Sequence, residues 1–241
     1  MKLFASRVLS LAVASYAAIS CAAPIQDDQT IISLPITLGP WELFKDEKHP
    51  LRMNMTFDDV DLNGLASKTL TSFGPIDLDR FEAVNVTAAI NKGLMHPKDT
   101  DSAVSKPNAL HSIPKKIAAP SVLRSNLGIL AWMNLSPNFD LVSFAVKPVT
   151  DNSEYAWMSV TVWQIDYDEG VPRNFDDIYI YFPSVNGTYD VFDIEPREYF
   201  EGWGKNVNYV EFSVEAGDDF KPLDFTIDNI VIDFHKLEED K

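Results

Sequence analysis

The second half of the chain alternates. Between Asn138 and Phe234, five runs place apolar side chains at every second position, with turn signals between them. Asn138 to Val146 reads NFDLVSFAV. Trp157 to Ile165 reads WMSVTVWQI, which puts Met158, Val160 and Val162 on one face and Trp157, Ser159, Thr161 and Trp163 on the other. Asp177 to Phe182 sets Ile178, Ile180 and Phe182 against Tyr179 and Tyr181. In Val207 to Val214, Val210, Phe212 and Val214 turn inward while Tyr209, Glu211 and Ser213 turn outward. In Leu223 to Phe234, Phe225 and Ile227 share one parity and Ile230, Ile232 and Phe234 the other. The spacing therefore predicts a bulge or bend at Asp228-Asn229. A period of two suits a strand with one buried face, and helices do not alternate with these runs. The expected fold is all-β: an antiparallel β-sandwich or jelly roll with long loops and little helix.

Upstream the pattern weakens. Phe81, Val84 and Ala88 have helical spacing, which predicts one or two helical turns within Asp77 to Leu94. Pro97, Pro107, Pro114 and Pro120 punctuate His96 to Gly128, which reads as long loops around short extended pieces.

The first residues have the layout of a secretory signal. Lys2 and Arg7 precede an apolar run from Val8 to Ile19, and small residues follow at Ser20, Cys21, Ala22 and Ala23. Cleavage is expected after Ala22, giving a signal peptide at 1–22, an N-terminal extension and first strand at 23–52, and one sandwich domain at 53–241. The apolar run is shorter than the ~20 residues that span a bilayer, and no membrane span is expected. The protein has 241 residues, with 36 acidic and 20 basic side chains and one cysteine, Cys21. Cleavage at Ala22 removes two bases and the cysteine, so the net charge moves from −16 to −18 and no disulfide is available. About 219 residues can bury a sufficient core without such staples. The acidity argues against nucleic acid and anionic membrane surfaces as partners. Sequons at Asn54, Asn85, Asn134 and Asn186 agree with an extracellular glycoprotein, and the style of the signal and sequons looks fungal.

The outward row Trp157, Ser159, Thr161 and Trp163, joined by Tyr179, Tyr181 and Tyr209, interleaves aromatic rings with hydroxyls. Aromatic faces stack on the C–H faces of pyranose rings, and short polar groups bond sugar hydroxyls. The competing reading buries the same rings as a second core or beneath the long loops. Asp58 and Asp59 near the start and Asp228 near the end offer oxygen ligands, which suit Ca²⁺; they also read as turn formers in an acidic chain.

Catalytic patterns are sparse, and no catalytic residue is assigned. The chain shows no G-x-S-x-G, no H-E-x-x-H and no phosphate-cradling glycine loop. Glu211 and Glu215 stand four apart on a strand, roughly 13 Å at 3.3 Å per residue, too far for a glycosidase pair. Asp166 and Asp168 are closer, but Gly170 and Pro172 mark a hairpin turn there.

The order of short matches resembles carbohydrate-binding modules with a galactose-binding-like jelly roll, found among secreted fungal and bacterial proteins. It runs from Phe57-Asp58-Asp59 through Ser105-Lys106-Pro107-Asn108, Phe139 to Phe144, Val160-Thr161-Val162 and the Trp203 to Phe212 run to Phe225-Thr226-Ile227-Asp228-Asn229-Ile230. The resemblance implies a structural calcium held by Asp58 or Asp59 together with Asp228, and no other cofactor. The expectation that follows is a secreted, non-catalytic protein that binds a glycan or another cell-surface partner. A secreted effector or structural protein with a protein partner, and a polysaccharide-acting enzyme, stand as alternatives.

Overall fold

The computed structural model describes residues 51–105, 107–112, 119–196 and 200–237. The expected signal peptide, most of the 23–52 extension and Cys21 lie outside the described residues. The elements are β1 Leu51–Met55, β2 Ser67–Thr69, β3 Ser72–Phe73, β4 Ile76–Asp79, β5 Phe81–Asn85 and α1 Val86–Asn91. They continue with β6 Asn108–Ser112, β7 Ser121–Ser125, α2 Leu127–Trp132, β8 Leu135–Pro148, β9 Tyr155–Asp166 and β10 Val171–Pro183. The last are β11 Phe192–Ile194, β12 Tyr209–Ala216, β13 Lys221–Pro222 and β14 Phe225–Lys236.

The strands form two seven-stranded antiparallel sheets. Sheet I has the order β11-β8-β14-β6-β5-β2, with β1 also on β14. Sheet II has the order β10-β9-β12-β7-β4-β3, with β13 on β12. The inward faces meet in one core, where Phe212 of sheet II stands edge-on to Phe144 and Phe81 of sheet I, with ring centroids 5.5 and 6.5 Å apart. Met158, Val160, Val162, Ile178, Phe182, Val210, Phe212 and Val214 are all buried, as the alternation requires. The expected β-sandwich is observed.

The five runs become β8, β9, β10, β12 and β14. The phase slip in the last run is real. Register shifts between Asp228 and Val231, and Asn229 takes a positive φ of 48°. β8 slips as well, because Ser143 pairs with Val231 while Leu141 pairs with Ile232. Both central strands of sheet I thus switch parity together, and Leu141, Phe144, Ile227 and Ile232 all face the core.

The expected one or two helical turns within Asp77 to Leu94 are present, but of the residues that pointed to them only Ala88 lies on the helix. Ile76–Asp79 and Phe81–Asn85 are strands, and only Val86–Asn91 is helical. Phe81 joins the main core, whereas Val84 faces the opposite side and packs with Val86, Ala89 and Met95 in a second cluster. A strand buried on both faces has apolar residues at spacings that also fit a helix.

Candidate functional site

Strand pairing sets the outer side chains of β10, β9 and β12 side by side in four rows. Tyr181, Trp157 and Glu215 form the first, and Tyr179, Ser159 and Ser213 the second. Asp177, Thr161 and Glu211 form the third, and Phe175, Trp163 and Tyr209 the fourth. β7 and β4 extend the third row with Val122 and Asp79 and the fourth with Arg124 and Asp77. Six residues along β9 separate the first row from the fourth, about 20 Å at strand rise.

Each end of this face carries an aromatic platform. At one end Trp157 lies 4.9 Å from Tyr181, centroid to centroid, and Tyr155 lies 5.9 Å from the same ring. Tyr155 is anchored by a hydrogen bond from its hydroxyl to Asp218. At the other end Phe175 lies over Trp163 at 5.2 Å and 31°. Between the platforms, Ser159 and Ser213 share a hydrogen bond of 2.8 Å.

The seven residues singled out from the sequence all fall on this one face, but their roles divide. Trp157, Tyr179 and Tyr181 are exposed. Trp163 is only 8% exposed, and Phe175, at 57%, presents the open ring instead. Phe175, Tyr155 and the carboxylates Asp177 and Glu215 were not selected from the sequence. Carrying the alternation back from Tyr181 through Tyr179 and Asp177 leads to Phe175, so the signal for it was present. Before Phe175 the alternation is interrupted, with a register shift between Pro172 and Asn174.

The electrostatics of the face are acidic. Burial pushes the Glu211 carboxyl up from its ordinary value; the Trp163 indole and Tyr209 hydroxyl beside it and the charge of Arg80 pull the other way. The Trp163 N–H stops short of a hydrogen bond and is buried without a partner. Burial raises Glu215 too. Burial and the Asp177 carboxylate push the Tyr179 hydroxyl up to about 12. Phe175 also lines a cavity of about 190 Å³ that continues past Gln164, Asp176, Trp203, Lys205 and Asn206.

Asp166 serves the turn that Gly170 and Pro172 mark in the sequence. The Asp166 carboxylate accepts from the backbone N–H groups of Asp168 and Glu169 and from Arg173, which ties down the β9–β10 turn.

The carboxylates expected to hold calcium divide in the same way. Asp228 is buried, and its oxygens accept from the backbone N–H of Ser105 at 2.9 Å, the Ser105 hydroxyl at 3.0 and 3.1 Å, and the Asn229 N–H at 2.8 Å. Burial is the main cause that raises its pKa, and the negative charge of Asp58 adds to it. Asn108 connects to Asp58: its side-chain amide donates to the carbonyls of Phe57, Asp58 and Val60, and its Oδ1 is buried without a partner. Asp59 is exposed. The oxygens of Asp58, Asp228, Ser105 and Asn108 fit a hard cation, since calcium takes carboxylate and neutral oxygens together. Among the described residues, no group of three or more acidic, histidine or cysteine side chains gathers in one place, so any such site depends on the neutral oxygens.

No protein family profile matches the chain, and no curated protein matches it. Solved structures do. A DUF4465 family protein from Bacteroides caccae superposes with a TM-score of 0.51 at 8% identity, over 75% of this chain and 98% of that one. The CBM22-1 xylan-binding domain of Paenibacillus barcinonensis Xyn10C gives 0.39 at 14%, over 76% and 94%. The family 11 carbohydrate-binding module from Clostridium thermocellum, in complex with a β-1,3-1,4-mixed-linked tetrasaccharide, gives 0.38 at 11%, over 78% and 98%. The first of these likenesses shows a shared fold.

The sequons differ in setting. Asn54, Asn134 and Asn186 are exposed. Asn85 is half-buried and caps α1, its side-chain oxygen accepting from the Ala88 N–H at 2.8 Å.

Proposed function

We propose that the outer face of sheet II binds a neutral, linear polysaccharide and that the protein recognises this glycan without cleaving it. The observation that carries the proposal is the pair of aromatic platforms at Trp157/Tyr181 and Phe175, joined by rows of hydroxyls and carboxylates. Exposed rings stack on sugar faces, and Ser159, Thr161, Ser213 and Asp177 accept from or donate to hydroxyls. Asp177, Glu211 and Glu215 repel a polyuronate, and the net charge of −16 does the same at longer range. The separation of Glu211 from Glu215 supports binding over hydrolysis. The sandwich is proposed to act outside the cell and to hold Ca²⁺ through Asp58 and Asp228.

Calorimetric titration with neutral oligosaccharides, from disaccharide to hexasaccharide, tests the reading. Affinity is expected to rise with length until both platforms are reached. Trp157→Ala and Phe175→Ala are each expected to weaken the longest ligand about tenfold, which corresponds to ~1.4 kcal/mol. A polyuronate is expected not to bind. Failure of every neutral glycan to bind, or binding unchanged in both variants, overturns the proposal.

A further inference from the structure

Trp132 is the last residue of α2 and is 82% exposed. Large aromatic rings bury most of their surface in folded chains, so an indole standing in solvent calls for a partner. Asn134, the asparagine of a sequon, follows two residues later. Met133 between them packs against the main core, and the residues on either side of it are both exposed. Asn134 occupies the left-handed position that ends the helix, with a φ of 56°, and its backbone N–H donates to the Ala131 carbonyl at 3.1 Å. Helix, αL turn and β8 therefore fix the backbone that carries the asparagine and the indole, two exposed residues on either side of Met133. The other three sequons lack this arrangement. The residues two positions before Asn54, Asn85 and Asn186 are Arg52, Ala83 and Ser184.

We infer that Asn134 carries an N-linked glycan whose first sugar packs on the Trp132 ring. In the transfer, the Asn134 side-chain nitrogen attacks C1 of N-acetylglucosamine on a lipid-pyrophosphate-linked oligosaccharide. The new C–N bond replaces the bond from C1 to the pyrophosphate oxygen. The lipid pyrophosphate leaves with that bond's electron pair, and one amide proton is lost. The C–H face of the attached sugar then covers the indole, so Trp132 receives the protein's own glycan and not a free ligand. The inference requires entry into a eukaryotic secretory pathway, and it is independent of glycan binding on sheet II.

The test uses the full chain secreted from a eukaryotic host, with Trp132 intact and as Trp132→Ala. Peptide mass spectrometry is expected to find Asn134 occupied. Trimming with an endoglycosidase that leaves one sugar on each asparagine is expected to leave the melting temperature unchanged. Complete removal by an amidase, which leaves aspartate at position 134, is expected to lower it by at least ~2–4 °C, the shift that one aromatic stacking contact makes in a domain of this size. In Trp132→Ala the same removal is expected to cost ~2–4 °C less than in the parent, because the contributions of the other sequons are common to both proteins and cancel in the difference. An unoccupied Asn134, or equal losses in the two proteins, overturns the inference.

Discussion

Glu211 shows how an acidic side chain can serve a binding face at a cost to the fold. It is 8% exposed and its carboxyl is held above the ordinary value, chiefly by burial. A raised carboxylate pKa favours the protonated form in the folded state. Its contribution to stability is therefore full below the unfolded value near 4.3 and is lost as pH rises through the folded value. Glu211→Gln removes that loss. Its melting temperature is expected to exceed the parent's by ~2–4 °C at pH 7 and to match it at about pH 3, as read by scanning calorimetry. A lower melting temperature at pH 7 counts against this account. The side-chain parity of β12 and β9 was legible in the sequence, and it placed Glu211, Trp163 and Tyr209 on the outward face. The burial of Trp163 was not legible, because it comes from Phe175 on one neighbouring strand and Tyr209 on the other, and pairing of that kind has no local signature.

At the scale of elements, the break in β14 repays attention because the sequence announced it. Phe225 and Ile227 cannot share a buried face with Ile230 and Ile232 on a regular strand, and Asn229 resolves the conflict with a left-handed backbone. Asn229→Val places a β-branched residue at that φ and is expected to cost ~1–3 kcal/mol. Asn229→Gly is expected to stay within ~1 kcal/mol. Urea midpoints with unchanged slopes measure both; equal losses in the two variants would show that the backbone conformation is not the cause. The matching slip in β8 went unread, since NFDLVSFAV is apolar at both parities around Val142. The helical spacing of Phe81 and Val84 with Ala88 has the same origin, since Phe81 and Val84 serve two clusters on opposite faces of one sheet while only Ala88 lies on the helix.

For the whole molecule, the calcium site proposed at Asp58 and Asp228 matters most, because a cation there would join the beginning of the sandwich to its end and relieve the repulsion between the two carboxylates. A cation held there is bound by the folded state alone and stabilises it by mass action. Excess chelator is expected to lower the melting temperature by several degrees, with recovery on adding Ca²⁺, and Asp58→Asn is expected to abolish that response. An unchanged melting temperature at saturating chelator removes calcium from the account. The same closure is made by backbone pairing. β1 lies along β14, and Arg52 grips Asp233 through two hydrogen bonds of 2.7 and 2.9 Å across 181 positions of sequence. β6 and β8 depend on β14 as well. Sheet I therefore has no central strand until the C-terminal segment has been synthesised, and contacts of such long range fold slowly. A nascent chain halted before Phe225 leaves β1, β6 and β8 with open edges and an uncovered apolar face, a species that invites chaperone capture or aggregation until the twelve residues of β14 arrive.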